Sequence, residues 1–412
     1  MQETTKNDDV IILVPEDIKS TKVSEKIEDS EQKEIKFEAP AKRKKFPFAK
    51  IISAILILVS LSLLGFGSYF GLKVYNTASN VIVNDGANSE CKNLLSLSCL
   101  NLQTPFTQKK ELKLKGQEEG RTNILIIGAD SAAGLSDTMI LLSYFWNEKK
   151  VVTLNIPRDT YVNTTFQGDG GTYRINEKLN ALFPYAENAS DKPGNGSVAL
   201  AAFISTEFNI PIHYWIMTNF RAFKDVVNEL GGVDVNVDKA FTDCTYPTDG
   251  YTGYIRPCPS FKVGPEKMDG TRALIYARSR HSLGDPLDFA RSRRQSILIQ
   301  SVAKTAKSKG IFGNINNIYA YLKIIGDNVK TNIQLNEMLV AYKESESFDF
   351  DNGFLRVIWQ EGNGILCRGK GEAYTLIYCG GQVPGTSGNS FAKQKAVNSV
   401  QNLLSLGQPS QQ

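Results

Sequence analysis

The chain has 412 residues, of which 42% are hydrophobic and 22% are charged, a balance typical of a globular protein. Its formal net charge of only +4 gives no support to a nucleic-acid-binding function, so any role for charge must depend on local clusters. At this length the chain has room for one large domain or two ordinary ones.

The first element along the chain is an apolar segment that fits a transmembrane helix. Residues 51–72 are 22 residues without a charge, and such a helix is about 33 Å long, enough to cross the ~30 Å hydrocarbon core of a bilayer. Five cations lie in residues 41–50, whereas Lys73 alone follows the segment, so the positive-inside rule places the N terminus in the cytoplasm. A cleaved signal peptide is the alternative, but it would lie nearer the N terminus.

This orientation gives the chain a membrane-anchored organisation. Residues 1–50 are low in aromatic residues and are predicted to form a disordered cytoplasmic tail. Residues 73–120 are expected to form an extracellular stalk or accessory segment. We therefore predict a single-pass protein of the cell membrane whose large C-terminal part lies outside the cell.

The six cysteines all follow the apolar segment and fall into three sequence-local pairs. An even number confined to the external part indicates disulfides formed in an oxidising compartment. Zinc is a weaker alternative, because the chain has no C-x-x-C pair and its two histidines are His213 and His281. Each pair brackets a polar stretch, which favours nearest-neighbour pairing: Cys91–Cys99, Cys244–Cys258 and Cys367–Cys379.

Short apolar runs and helical patterns then follow one another. Runs at 123–128, 138–145 and 151–156 indicate strands buried on both faces, and residues 233–237 alternate as a further strand. Helical spacing occurs in four stretches: 198–208, 220–230, 288–310 and 314–325. Mixed elements of this kind predict an α/β fold, a three-layer α-β-α sandwich with a central mixed sheet, over residues 121–345. Residues 346–412 are expected to be a C-terminal extension with a cysteine pair and a flexible tail.

Charged residues lie at the ends of the predicted strands. Asp130 follows the first strand, Asp137 precedes the second, and Arg158-Asp159 follows the third. Ligands of α/β folds bind beyond the carboxyl ends of strands, although polar strand ends are also expected simply because loops face solvent.

An arginine-rich segment at residues 277–295 carries five arginines. Arg278 and Arg280 project to one side of an extended chain, whereas Asp288, Arg291 and Gln295 form one stripe of a helix. That stripe continues into apolar residues, so its polar groups need a partner or a ligand. Guanidinium groups match phosphate oxygens, and paired aspartates suit Mg²⁺ (or Mn²⁺), which bridges carboxylate and phosphate. The segment thus predicts phosphoryl-transfer chemistry, without the Walker or dinucleotide loop of a nucleotide site.

Seven segments in order resemble the LytR–CpsA–Psr family of bacterial envelope enzymes. They are NILIIGADS, SDTMILLSY, IPRDTYV, RINEKLNALF, LGGVDVNV, MDGTRALIYARSR and DFARSRRQ, spread over residues 121–305. The resemblance implies an enzyme that moves a glycopolymer from a polyprenyl (pyro)phosphate carrier to peptidoglycan through a phosphodiester. It also implies residue roles, with Mg²⁺ held by Asp130 and Asp137. The catalytic residues would be Arg158, Asp159, Arg278, Arg280, Asp288 and Arg291, and the substrate would be bound by Arg174, Asn176 and Gln295.

One residue departs from the family pattern, and alternatives remain for the general base and for the function. Leu135 stands where many family members carry arginine, so one phosphate contact is lost or supplied from elsewhere. Asp159 and Asp288 are both candidates for the general base, and either could instead orient an arginine. His281 is interpreted as taking no part in catalysis. A lipid-binding module without turnover, a polyprenyl-pyrophosphate hydrolase and a transcription regulator are the competing functions, and the predicted topology argues against the last.

Overall fold

The fold is built around a mixed sheet of six strands. The computed structural model describes residues 81–83, 112–130, 134–248, 252–284, 288–310, 326–358, 366–368 and 376–378, with residues 398 and 401. In this part of the chain the sheet has the order β11-β6-β1-β2-β3-β12. The strand bounds are β1 Arg121–Ala129, β2 Ser136–Phe145, β3 Lys150–Asn155, β4 Tyr161–Gly168, β5 Gly171–Lys178, β6 Tyr214–Asn219, β7 Val233–Val237, β8 Phe241–Thr242, β9 Ser260–Phe261, β10 Gly264–Met268, β11 Val329–Thr331, β12 Phe354–Ile358, β13 Leu366–Arg368 and β14 Leu376–Tyr378.

Six α-helices are described together with these strands, and a short 3₁₀ turn, Gly326–Asn328, precedes β11. Polar caps explain where two of them begin. The Asn219 side chain accepts the Ala222 N–H as β6 ends, and the Asp269 side chain accepts the Arg272 N–H. The helix bounds are α1 Leu179–Asn188, α2 Asn195–Phe208, α3 Phe220–Glu229, α4 Gly270–Arg278, α5 Asp288–Ser308 and α6 Leu335–Glu346.

Helices cover both faces of the central sheet. Alternating residues of β1 and β2, such as Leu125 and Leu141, face a core that includes α1, α2 and the β4–β5 hairpin. On the other face, Ile126 and Ile140 lie over residues of α3, α4 and α5 around an apolar cavity. The observed architecture is therefore a mixed central sheet between two helical layers, as the sequence predicts.

The strands of the sheet run in both directions. β1 pairs parallel with β6 and antiparallel with β2, β2 pairs antiparallel with β3, and β12 adds parallel to β3. β11 closes the other edge antiparallel to β6. The edge strand β12 belongs to this sheet although it lies beyond residue 345.

Of three further sequence expectations, the structure describes one. The strand at residues 233–237 forms, but it pairs with β10 in a separate two-stranded sheet. The helix expected at 314–325 and the transmembrane span at 51–72 lie outside the described residues. Among the described residues no helix is long and apolar enough to cross a membrane.

Candidate phosphate-binding site

Two of the acidic site residues lie at neighbouring strand ends. Ala129 at the end of β1 pairs with Ser136 at the start of β2, and Asp130 and Asp137 each follow one of these paired residues. Asp130 is exposed and Asp137 is half-buried. The antiparallel pairing of β1 and β2 thus places two carboxylates at the same end of these central strands.

Asp137 is the first residue in a row of alternating charges. Arg158 Nη1 donates to Asp137 Oδ1 at 2.5 Å, and Arg158 Nε lies 3.6 Å from Asp159 Oδ2. The other Asp159 oxygen accepts from Lys178 Nζ at 3.0 Å. Asp159 is 5% exposed. Its carboxylate is therefore largely desolvated, and two cations stabilise its charge.

Arg278 and Arg280 line one polar cavity of about 290 Å³. Arg278 is the last residue of α4, and Ser279 leaves the helix with an extended backbone, so Arg280 follows at the cavity wall. A helix end, rather than the extended strand expected from sequence, brings them together. The cavity is lined by Asp137, Thr138, Phe220, Asp243, Thr245, Tyr246, Pro247, Arg278, Arg280, His281, Arg291 and Gln295.

Helix α5 supplies the polar stripe predicted from its spacing. Arg291 Nη2 donates to the Asp137 carbonyl oxygen at 3.4 Å, and Gln295 Nε2 donates to Thr138 Oγ1 at 2.9 Å. Arg291 and Gln295 both line the polar cavity, one helical turn apart. These bonds fasten the start of α5 to the start of β2 beside Asp137.

Aromatic rings support the guanidinium group of Arg278. The guanidinium carbon lies 4.1 Å from the centroid of the Phe220 ring, and Nη1 donates to the Tyr246 hydroxyl at 3.5 Å. Such ring contacts orient a planar cation at little cost in its ability to bind an anion. Sequence patterns did not indicate Phe220 or Tyr246, because both reach the site from distant elements.

The remaining two arginines of the segment serve the fold. Arg294 is 1% exposed, donates to the Tyr276 and Ser279 carbonyl oxygens, and stacks over Phe241. Tyr276 lies in the last turn of α4 and Ser279 directly follows the helix, so Arg294 fixes the backbone around Arg278 and Arg280. Arg293 points away and pairs with an aspartate outside the cavity, Asp238, at 2.8 Å.

The structure does not bring Arg174 and Asn176 to the polar cavity. Arg174 lies exposed on β5, where its Nε donates to Asn163 Oδ1 across the hairpin at 3.0 Å, and Asn176 is exposed beside it. Lys178 instead reaches Asp159, and Lys178-Leu179-Asn180 repeats the basic-x-Asn spacing of Arg174-Ile175-Asn176. That second match was the sequence signal for Lys178.

The remaining predicted residues are Asp288 and the three cysteine pairs, which the structure describes only in part. Asp288 begins α5, but its side chain lies outside the described residues. The sulfurs of Cys244 and Cys258 are 2.11 Å apart, as the predicted second pair requires. The other predicted disulfides, Cys91–Cys99 and Cys367–Cys379, fall on residues whose side chains are not described.

An apolar cavity adjoins the polar one. It has a volume of about 370 Å³, lies between the sheet and helices α3 to α5, and shares Thr138, Phe220, Arg278 and Gln295 with the polar cavity. A further apolar cavity of about 180 Å³ shares Leu142, Ile299 and Ala303 with it. A cationic pocket therefore leads into an apolar space, an arrangement suited to a phosphate group carried on an apolar chain.

Fold and site together define a class, an α/β protein with a cationic cavity that adjoins an apolar one at one end of the central strands of a mixed sheet. The model of the LytR_cpsA_psr family matches residues 69–352. The chain belongs to the LytR–CpsA–Psr family, as its motifs indicated.

Similar proteins agree with this assignment. The chain is 31% identical over 304 residues to the polyisoprenyl-teichoic acid–peptidoglycan teichoic acid transferase TagU of Oceanobacillus iheyensis, covering 72% of this chain and 80% of that protein. It is 27% identical over 278 residues to TagU of Enterococcus faecalis, covering 66% and 78%. The crystal structure of protein gbs0355 from Streptococcus agalactiae shares the fold, with a TM-score of 0.51, 21% identity and coverage of 72% and 91%.

Proposed function

We propose that this protein transfers a glycopolymer from a polyprenyl (pyro)phosphate carrier to peptidoglycan and leaves a phosphodiester link. The observation that carries the proposal is the convergence of Arg278, Arg280 and Arg291 on one cavity that continues into an apolar space. The similar proteins are named as transferases that use a polyisoprenyl-linked teichoic acid and peptidoglycan. The cationic cavity and the adjoining apolar cavity suit a donor of that chemical class.

The cationic side chains would stabilise the charge that develops on the transferring phosphate. In phosphoryl transfer the enzyme acts mainly by positioning and by neutralising charge. An acceptor hydroxyl attacks the phosphorus attached to the glycan, the bond to the second phosphate breaks, and polyprenyl phosphate leaves with the bonding electrons. Arg278, Arg280 and Arg291 bind the diphosphate oxygens, while Arg158 holds Asp137 in position.

The acid pair at the strand ends fits a divalent cation. Asp130 and Asp137 offer the hard oxygen ligands that Mg²⁺ or Mn²⁺ prefers. Among the described residues no group of three or more His, Cys, Asp or Glu side chains forms a metal site, so phosphate oxygens and water would complete the coordination. A bound Mg²⁺ would add positive charge beside the diphosphate. In this proposal the chain's own contribution is the two carboxylates.

The apolar cavity would hold the polyprenyl chain. Its lining residues include Ile140 and Leu142 of the sheet and Leu298 of α5. Burying a methylene group from water contributes about 0.8 kcal/mol, so a long apolar chain gives affinity that a free phosphate lacks. This geometry favours a lipid-linked donor over a soluble sugar phosphate.

The donor and acceptor also set the place of action. Peptidoglycan lies outside the cell membrane, so the proposal includes a cytoplasmic N terminus, an anchor at residues 51–72 and an external catalytic domain. Flanking charge is the sequence evidence for this topology.

Transfer can be tested with the full chain in detergent, a polyprenyl-pyrophosphate-linked glycan, purified peptidoglycan and Mg²⁺. We expect release of polyprenyl phosphate together with phosphate-linked glycan on the peptidoglycan. Arg291→Ala should lower turnover about 100-fold or more, because it removes a group that stabilises developing charge. Arg293→Ala, on the same helix but outside the cavity, is the matched control and should stay within about threefold.

The same assay separates the alternative functions. Polyprenyl phosphate release without glycan on the peptidoglycan would indicate a hydrolase, whereas tight lipid binding with no release would indicate a binding module. Equal activity of Arg291→Ala and the unmodified chain would contradict the assignment of the cavity. Loss of turnover on chelation, restored by Mg²⁺ or Mn²⁺, would support the metal role of Asp130 and Asp137.

A further inference from the structure

Residues 243–247, which follow β8, form a wall of the polar cavity and lie outside all seven family motifs. Four of its residues line the cavity: Asp243, Thr245, Tyr246 and Pro247. Tyr246 is 5% exposed and its hydroxyl meets Arg278. This wall therefore contacts the proposed diphosphate site directly.

The wall is fastened to the segment that carries Arg280. Thr242 and Leu283 exchange two backbone hydrogen bonds, at 3.1 and 2.8 Å, and the Asp243 N–H donates to the Pro259 carbonyl oxygen at 2.9 Å. Leu283 follows Arg280 by three residues. Asp243 thus has a fixed position relative to the arginines, as a group that takes part in chemistry must have.

Asp243 is oriented by neutral donors. Its Oδ1 accepts from the Thr245 N–H at 3.0 Å and from Thr245 Oγ1 at 2.9 Å. Among the described residues its carboxylate has no ion-pair partner within 4.0 Å. One carboxylate oxygen is therefore held in place and the other remains for a hydroxyl donor.

The other described acids near the site are committed to cations or lie apart. Asp137 and Asp159 are paired with Arg158, and Asp159 also with Lys178; Asp159 does not line the cavity. Asp130 is exposed and also does not line it. His281 lines the cavity but is exposed, and within the described part of the chain its ring makes no hydrogen bond like those that orient Asp243.

We infer that Asp243 is the general base for the acceptor hydroxyl, an inference that rests on the proposed transferase function. The hydroxyl proton passes to the free carboxylate oxygen of Asp243 while the hydroxyl oxygen bonds to phosphorus. The phosphorus–oxygen bond to polyprenyl phosphate breaks and the leaving phosphate takes the electron pair. Asp243 replaces Asp159, whose paired oxygens suit it to orient Arg158.

The test compares Asp243→Asn with Asp234→Asn, an exposed aspartate on β7, in the full-chain transfer assay. Asparagine keeps an oxygen for the Thr245 donors, so the loop is retained, but it cannot accept the proton. Removal of a general base lowers turnover by about 10²- to 10⁴-fold. Binding of geranylgeranyl pyrophosphate, the donor probe, should stay within about threefold, whereas Arg278→Ala weakens it. Asp234→Asn should match the unmodified chain.

Turnover and probe binding together distinguish the possible outcomes. Retained probe binding with lost turnover in Asp243→Asn, partly restored in Asp243→Glu, supports the inference. Unchanged turnover in Asp243→Asn overturns it, as does loss of probe binding in step with turnover, which would indicate a structural role. Lost turnover in His281→Asn with active Asp243→Asn would assign the base to the histidine. An unmodified chain without transfer would instead contradict the proposed function.

Discussion

Lys178 and Arg174 show how closely spaced basic residues acquire different roles. Lys178 is the last residue of β5 and Arg174 lies four positions before it, in the middle of the strand; both face the side of the β4–β5 hairpin opposite to the buried Ile175. Lys178 lies where the hairpin joins the sheet, so its amine reaches Asp159, whereas Arg174 lies farther along the hairpin and pairs with Asn163. The base of the hairpin is the part that belongs to the site.

This difference predicts unequal effects of two substitutions. Lys178→Ala removes one of the two cations on a buried carboxylate, which should disturb Arg158 and lower transfer about 10-fold or more, since loss of a buried partner is costly. Arg174→Ala removes an exposed cross-strand contact and should change transfer less than about twofold. Turnover and thermal unfolding of both variants provide the check. A larger loss of turnover for Arg174→Ala than for Lys178→Ala would indicate that Arg174 binds the substrate.

The elements themselves were predictable to different degrees. Strands such as β1 and β2 have one buried and one half-buried face, and both faces carry apolar residues that give near-continuous apolar runs. The hairpin was not predicted, because β5 buries a single residue, Ile175, and leaves no apolar alternation to detect. β7 is readable as a strand, but its separate pairing with β10 depends on tertiary contacts.

The site was predictable to the extent that it lies in local patterns. The spacing of Arg291 and Gln295 on one helix predicts that they share a face, and both line the cavity. Asp243 and Tyr246 come from a loop whose path depends on distant backbone bonds, so spacing carries no information about them. Nonlocal loop closure is therefore the part that sequence reasoning could not supply.

A half-buried histidine connects the start of β6 to β1. His213 Nδ1 accepts the Asn123 N–H at 2.9 Å, and the His213 N–H donates to the Asn123 carbonyl oxygen at 3.0 Å. Burial lowers the pKa of His213 below its usual 6.5, and nearby Arg121 and Lys115 lower it further while Glu119 opposes them. Protonation would remove the acceptor at Nδ1 and place a charge in this joint.

This joint predicts a pH-dependent loss of stability. The unfolded chain takes up a proton at His213 near pH 6.5, whereas the folded chain does so at lower pH, so the stabilisation is complete above 6.5 and falls as the pH drops below it. His213→Asn keeps an acceptor oxygen that does not titrate. From pH 7.5 to pH 5, the urea midpoint of unfolding should therefore fall more for the unmodified chain than for the variant. These two pH values lie about one unit or more either side of the usual histidine pKa. Equal falls would contradict the neutral histidine.

At the scale of the whole molecule, one face of the sheet forms the floor of both apolar cavities. Thr138, Ile140 and Leu142 of β2 line the first, and Leu142 and Tyr144 line the second. From Thr138 to Tyr144 the strand advances about 20 Å, at ~3.4 Å per residue. The apolar space thus extends from the arginines toward the far end of the sheet, where Phe348 and Phe354 of the C-terminal part line it.

The length of this space predicts a dependence on lipid length. Ala303 of α5 lines both apolar cavities, so Ala303→Phe should narrow the passage between them and leave the arginines unchanged. Undecaprenyl phosphate, which needs both cavities, should bind at least about 10-fold more weakly, a loss of ~1.4 kcal/mol, whereas geranyl pyrophosphate should bind as before. Lys304→Phe adds the same ring at the adjacent exposed position and is the matched control. Equal weakening of both lipids by Ala303→Phe would mean that the two cavities do not hold one continuous chain.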